Sequence, residues 1–372
     1  MQLKPLVWLL LWLPVVTQAA VLAEERLDVL YHRYDGGGMD IKGPSVLVRK
    51  NFAEKVSVNA NYYVDQVSGA SVDVVTTASP YTEERIEKSV GVDYLTGKTL
   101  YSVGINASDE DDYIGRTAYF SVSQDFFGDL TTVSFSYAQG DDEVRRRGDR
   151  AFSEDLSRRS YKVGLSQVLT RDLIISLGHE LITDSGYLNN PYRSVRFLTP
   201  TGYAYQPEVY PGTRTSEAWA LRGSYYLPWR AALHAEHRWF EDSWGIEARD
   251  WSLAFVQPLY QHWLLELRVR QYRQEAADFY SDLFPYQDAQ NFMARDKEMS
   301  SFSSRSYGVS VSYQQRLDSL RWAERFGVQL GLDRYEYDYR DFRDLRVNTT
   351  AGQEPLYSFD ALVTSFVVTL WY

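Results

Sequence analysis

The motif H-A-E-H at 234–237 has the residue types of a metal pair, in a chain of 372 residues with five histidines and no cysteine. The absence of cysteine excludes disulfides, thiolate metal sites and cysteine nucleophiles. The flanking residues alternate as in a strand, and strand residues three apart point to opposite faces. His234 then sides with Glu236, and His237 with Trp239 on the other face, so a shared metal is not expected. No nucleophile motif of the G-x-S-x-G type occurs. An outer-membrane enzyme with scattered residues stays an alternative; the reading is that the chain is not an enzyme. The run Y-D-G-G-G-M-D-I-K-G-P-S (34–45) lacks the phosphate-loop spacing and a following helix. Its Gly36, Gly37 and Gly38 read as a bend. The acidic runs D-E-D-D (109–112) and D-D-E (141–143) could hold Ca²⁺ but lack a glycine-interrupted calcium loop, and read as a solvated rim. R-R-R-G-D-R follows at 145–150, and the paired charges could bridge lipopolysaccharide or each other. No catalytic residue, metal or cofactor is expected.

The elements that would position these residues are strands. Tyr101, Val103 and Ile105 alternate with Ser102, Gly104 and Asn106; Tyr307, Val309, Val311 and Tyr313 alternate with Ser306, Gly308, Ser310 and Ser312. One face is apolar, the other small and polar. The stretch 214–242 reads as two strands of about a dozen residues joined at Leu227-Pro228-Trp229, longer than the common globular strand and close to the tilted membrane strand of about 9–11 residues. Tyr225, Tyr226, Trp229, Tyr260 and Trp263 flank tight turns, as interfacial aromatics do. Seven tight turns (near 51–54, 96–98, 126–129, 170–172, 228, 258–262 and 316–321) alternate with eight more polar connections (near 35–43, 65–83, 109–112, 141–156, 184–213, 242–247, 275–302 and 339–356). The expectation is an all-β transmembrane antiparallel barrel of about 16 strands (range 14–18), with short periplasmic turns and long extracellular loops.

Residues 1–23 read as a signal peptide: Lys4, an apolar run from Leu6 to Val16, then Ala19, Ala20 and Ala23, with cleavage between 19 and 23. Residues 24–372 are then one barrel domain in the bacterial outer membrane. The net charge of −11 argues against a nucleic-acid partner. The chain ends on S-F-V-V-T-L-W-Y, with Phe366, Val368, Leu370 and Tyr372 on one face, a closing strand whose aromatic end resembles the signal read by the barrel-assembly machinery. With the apolar face toward lipid, the lumen receives Glu87, Asp93, Lys162, Glu180, Arg222, His234, Glu236, Arg238, Glu266, Arg268 and Arg270. His179 falls on the lipid-facing set, and no run of aromatics along the lumen is expected.

Three segments, G-P-S-V-L-V-R-K (43–50), V-S-G-A-S-V-D-V-V-T-T-A-S-P-Y-T-E-E-R (67–85) and S-Q-D-F-F-G-D-L-T-T-V (123–133), resemble the DUF3570 family of Gram-negative proteins of unknown function, most closely over 31–140. The resemblance implies an outer-membrane barrel. It also implies, by gene association alone, a small lipoprotein partner and a link to extracytoplasmic flavin or redox chemistry. It draws attention to Ser68, Gly69, Ala70, Ser71 and Asp73, in a segment less polar than a rim loop, as a candidate plug or partner loop. The expected function is a channel or transport-related pore for small solutes with a mixed-charge lumen. The alternative is a plugged barrel that holds or threads a partner lipoprotein. Outer-membrane lipid and lipopolysaccharide are the expected surroundings.

Overall fold

The computed structural model describes residues 21–69, 81–318, 320–347 and 349–372. The signal-peptide residues 1–20, and Ala70, Ser71 and Asp73 of the candidate plug, lie outside them. The chain forms β1 (Arg26–Gly36), β2 (Met39–Phe52), β3 (Val56–Gly69), β4 (Tyr81–Thr96), β5 (Thr99–Asp109), β6 (Tyr113–Phe126), β7 (Thr131–Arg146), β8 (Asp149–Thr170) and β9 (Leu173–Gly186). These are followed by β10 (Ser194–Thr199), β11 (Gly202–Pro207), β12 (Thr213–Tyr226), β13 (Ala232–Asp242), β14 (Glu247–Leu259), β15 (Trp263–Gln274), β16 (Phe302–Arg316), β17 (Arg325–Arg343) and β18 (Leu356–Trp371). β10 and β11 form a separate hairpin; the other sixteen close into an antiparallel barrel.

Closure answers a backbone problem. In lipid every N–H and C=O must be paired within the protein, and only a sheet without edges achieves this. The last strand supplies the seam: β18 pairs with β1 along its length, Leu27 opposite Leu370 and Tyr31 opposite Phe366. Phe366, Val368 and Leu370 therefore share the outward face. Tyr372 lies just past β18, where its hydroxyl donates to the Arg49 carbonyl at 3.0 Å.

Period-two alternation sorts the side chains. Val103, Ile105 and Leu330 point out and are 49%, 63% and 59% exposed, which water would penalise and a bilayer rewards. Across the middle of the barrel the inward positions on these strands are mainly small or polar, such as Ser102, Gly104 and Asn106 of β5 and Gly327, Gln329 and Gly331 of β17. A closed barrel wrapped in an apolar band is the structure of a bacterial outer-membrane protein.

The seven tight turns gather at one end and the longer connections at the other. Two stretches read as loops, 35–43 and 141–156, are strand instead. β1 passes to β2 through Gly37 and Gly38 alone, with φ of 59° and 84°, the left-handed values a two-residue hairpin turn requires. β7 and β8 run on past 141–156, with only residues 147–148 between them. Above the membrane the outward positions of these hairpins turn polar (Asp35, Lys42, Asp141, Glu143) while Ile41, Val144 and Leu156 are buried within, so the apolar-outward alternation that marks a lipid-facing strand disappears. Similarly, β3 continues to Gly69 and places Ser68 and Gly69 within a strand.

One close approach is set by the β2–β3 pair. Pairing runs from Lys42 with Gln66 to Ser45 with Tyr63 and skips Gly43 and Pro44. Pro44 has no N–H to offer. A Cβ on Gly43 would stand 1.6 Å from the Val64 carbonyl oxygen, whereas one on Gly223 would meet nothing within 4 Å. Gly43→Ala should therefore destabilise the barrel by about 1–3 kcal/mol and Gly223→Ala should not. The check is the temperature at which each variant loses its compact, heat-modifiable gel migration; equal temperatures would contradict the close approach.

Candidate functional site

The site that this fold builds is its interior: a charged wall along the lumen and a packed cluster of loops at the end opposite the tight turns. Strand register places all eleven sequence-derived lumen residues on the inward face. Glu87 and Asp93 face in on β4, Lys162 on β8, Glu180 on β9 and Arg222 on β12. His234, Glu236 and Arg238 face in on β13, and Glu266, Arg268 and Arg270 on β15.

These charges are mostly paired across strands. Lys162 Nζ lies 3.1 Å from Glu180, which Arg238 also approaches at 3.8 Å. Arg222 pairs with Glu236. Arg268 reaches Glu266 at 3.3 Å and Asp333 at 2.9 Å, and Arg270 donates to Asp250 at 2.5 Å. His234 Nδ1 lies 2.9 Å from Ser224 Oγ. Its neighbour His237 points outward instead, stacked on Trp251 with ring centroids 3.5 Å apart. No metal pair forms there. His179 also faces out, bonded to Glu217 at 2.7 Å and packed on Trp219.

Sequence reasoning missed several partners on this wall. Arg49 bonds Asp93 at 2.6 Å, and Arg85 bonds Glu87 at 2.5 Å. His32 and Tyr63 converge on buried Asp65, at 2.9 and 2.8 Å. Carrying the two-residue parity along each strand from an unambiguous apolar position would have found them, as it would Asp250 and Asp333. The acidic oxygens of Glu83, Glu110 and Asp112 lie within 4.8 Å of one another. These are the described side chains most able to hold a cation, although Arg85 already stands 3.6 Å from Glu110.

Aromatics on the inner wall were not expected. Tyr335, Tyr337 and Tyr339 of β17 and Tyr357 and Phe359 of β18 face in and stack; Tyr337 and Phe359 have ring centroids 4.6 Å apart at 12°. The run was hidden because the two strands are read separately and the rings alternate with charges. Tyr280 of the 275–301 segment and Phe302 of β16 pack against the stack, so Tyr339 and Tyr357 are buried.

That contact belongs to the loop cluster. Residues 187–212, with the β10–β11 hairpin, pack on residues 275–301 through Val195, Phe197, Phe284 and Met293. Val209 and Met293 exchange backbone hydrogen bonds at 3.0 and 2.8 Å. A second core joins Tyr210, Trp244, Phe279 and Met299, with inward-facing Phe240 of β13 against it. Gln274 of β15 donates to the carbonyls of Glu298 and Ser300. The cluster is thereby fixed to the inner wall.

Arg196 joins three connections at one point. Its fully buried guanidinium donates to Glu354 at 2.5 and 3.1 Å, pairs with Asp282 and donates to the Asp282 carbonyl at 2.8 Å. Arg295 meets the same Asp282 at 2.9 Å. Nearby, Glu208 accepts from Tyr210 Oη at 2.6 Å and from the Arg295 N–H at 2.7 Å. Burial, and then the charge of Asp296, push the Glu208 carboxyl up to about 7, against the pull of Arg193. A folded-state value raised in this way favours the folded cluster at low pH; the contribution is whole below the ordinary value of 4.5 and lost as pH rises through about 7.

A family profile described as "Protein of unknown function (DUF3570)" matches residues 71–342. Among curated proteins, none matches the chain. Solved structures with a similar course include a bacterial polysaccharide outer membrane secretin, at 7% identity over 94% of this chain and 98% of that one, with a TM-score of 0.49. The siderophore receptor PirA from Pseudomonas aeruginosa matches at 10% identity and a TM-score of 0.43, over 94% of this chain but 63% of the receptor. The outer membrane protein opdK from the same organism matches at 10% identity, over 93% of this chain and 99% of its own, with a TM-score of 0.43. No ligand or residue role passes to this chain from them.

Limited proteolysis within 187–212 tests the cluster. Arg196→Met leaves Glu354 buried without its cation and Asp282 with Arg295 alone, which should cost the cluster about 3–5 kcal/mol and expose the segment to cleavage while the barrel stays heat-modifiable. In the unaltered protein, cleavage should rise between about pH 5 and pH 8, and Glu208→Gln should flatten that rise. Uncut loops in Arg196→Met would contradict the packing described.

Proposed function

This chain belongs to the DUF3570 family, whose description names no activity, and we propose that it is a water-filled channel for small polar solutes, narrowed at its outer end by the loop cluster. The observation that carries the reading is the middle of the wall. Many inward positions there are small, among them Ser136, Gly164 and Gly178, while Tyr119 lies over Gly91 and Gly104. A ring of about sixteen strands lined in this way is wide enough to hold water. The charges beside them are of both signs and largely neutralised in pairs, which favours weak ion selectivity. The reading assigns no enzymatic step to the wall.

A second reading rests on the outer surface of the cluster. Leu198, Tyr203, Tyr205, Val209, Tyr286 and Phe292 are exposed on it, as a barrel that grips a partner such as a small lipoprotein would present them. Here the lumen would be closed and the apolar surface would do the binding.

Conductance of the refolded protein in a planar bilayer separates the two. The channel reading expects stable stepwise currents. Arg268→Gln with Arg270→Gln leaves Asp333 and Asp250 unneutralised, and should shift the reversal potential in a salt gradient toward cation preference. Silence from a folded, heat-modifiable barrel would overturn the channel reading and favour the partner-gripping one.

A further inference from the structure

The exterior carries a pattern that neither reading uses. Eight strands of the barrel (β2, β4, β6, β8, β12, β14, β16 and β18) descend from the loop end to the tight-turn end. On six of them the first polar outward residue above the apolar band is a cation: Lys42, Lys88, Arg116, Arg159, Arg249 and Arg305. Arg249 stands two residues above Trp251, and Arg305 two above Tyr307. All six are exposed, and none makes an ion pair with another described residue.

The lower edge of the band differs. The matching outward positions on β6, β8, β14 and β16 are Gln124, Gln167, Gln257 and Gln315. Long basic side chains can reach from an apolar surface to a headgroup at either edge of a bilayer; on β2 the lower-edge cation, Lys50, is paired with Glu25 at 2.6 Å, so it is the cations without an acidic partner that gather at the upper edge. The chain as a whole is acidic, with a net charge of −11, which makes six unpaired cations on one rim more specific still.

The rim is densest on three neighbouring strands. Arg249 of β14 is the direct cross-strand partner of Arg273 of β15. Like charges placed opposite one another destabilise a sheet, and among the described residues Arg273 has the exposed Glu275, at 3.4 Å, to offset it. Arg305 follows on β16, in register with Gln271, two residues from Arg273, on one side and with Glu336 of β17, which Arg334 already meets at 3.5 Å, on the other. Three guanidiniums on one lipid-facing surface suit an anion with several oxygens, since arginine binds phosphate through paired N–H donors.

We propose that this rim, centred on Arg249, Arg273 and Arg305, is a docking surface for the phosphorylated glycolipid of the outer leaflet, lipopolysaccharide, gripped through its phosphates. The acyl chains would lie along the apolar band below, against Trp251 and Tyr307. The contact lies outside the lumen and is independent of whether the barrel conducts.

The test is native mass spectrometry of the full-length protein in nanodiscs of phosphatidylethanolamine, titrated with lipopolysaccharide, its dephosphorylated form or phosphatidylglycerol. The unaltered protein should retain lipopolysaccharide well above the other two. Arg249→Gln with Arg305→Gln should weaken retention about 25-fold, at about fivefold for each charge removed near the membrane surface. Equal retention of the dephosphorylated form would overturn the proposal, as would equal retention of phosphatidylglycerol, which would make the rim a general anionic-lipid surface. The lipid comparison uses the unaltered protein and stands even if the double variant fails to fold. Retention unchanged in a folded variant would also overturn it.

Discussion

The barrel of this chain follows from the backbone's need for hydrogen-bond partners in a medium that has none to give. A sheet edge in hydrocarbon leaves a row of bare donors and acceptors. The chain removes both edges at once by pairing β18 with β1. Once closed, the sheet has an inside and an outside, and each alternating residue must commit to one. The apolar set goes to lipid. The small and charged set is left to face itself across the lumen, where cross-strand pairs such as Lys162 with Glu180 and Arg268 with Asp333 hold much of the charge in balance.

The long connections solve a different problem. Once above the bilayer, backbone can again be solvated, so loops there are free to fold on their own terms. Residues 187–212 and 275–301 do so, building small apolar cores and burying Arg196 against two carboxylates. Removing Arg196 would strand the buried charge of Glu354. Such a junction gives the loops one arrangement and ties it to the inner wall at Gln274. In the channel reading the wall sets the width of the passage and the loops set its entrance.

How much of this was legible in the sequence depends on the range of the signal. Parity within a strand is local, so the inward positions of Glu236, Arg268 and Arg270 could be read from their neighbours. The seam strand could be read from the apolar alternation of Phe366, Val368 and Leu370. The hairpins at 35–43 and 141–156 were hidden because above the bilayer their outward positions turn polar, and the apolar-outward alternation that identifies a lipid-facing strand is lost. The loop cluster was hidden for a stronger reason. Arg196 and Glu354 are separated by 158 residues, and nothing local in either segment marks the other as its partner. The aromatic stack on β17 and β18 sits between these cases: each strand showed its tyrosines, but only the pairing of the two brings Tyr337 onto Phe359.

The claim on which the account turns is that inward positions face water and outward ones face lipid. The chain contains no cysteine, so a single introduced thiol reports one position cleanly. Ser136 and Phe135 are adjacent on β7 and point to opposite sides. Ser136→Cys and Phe135→Cys, each folded in a bilayer, would be treated with a charged, membrane-impermeant thiol reagent. The account predicts rapid labelling at 136 and none at 135. Labelling at 135 would contradict the assignment of faces, and protection at 136 would contradict a water-filled lumen.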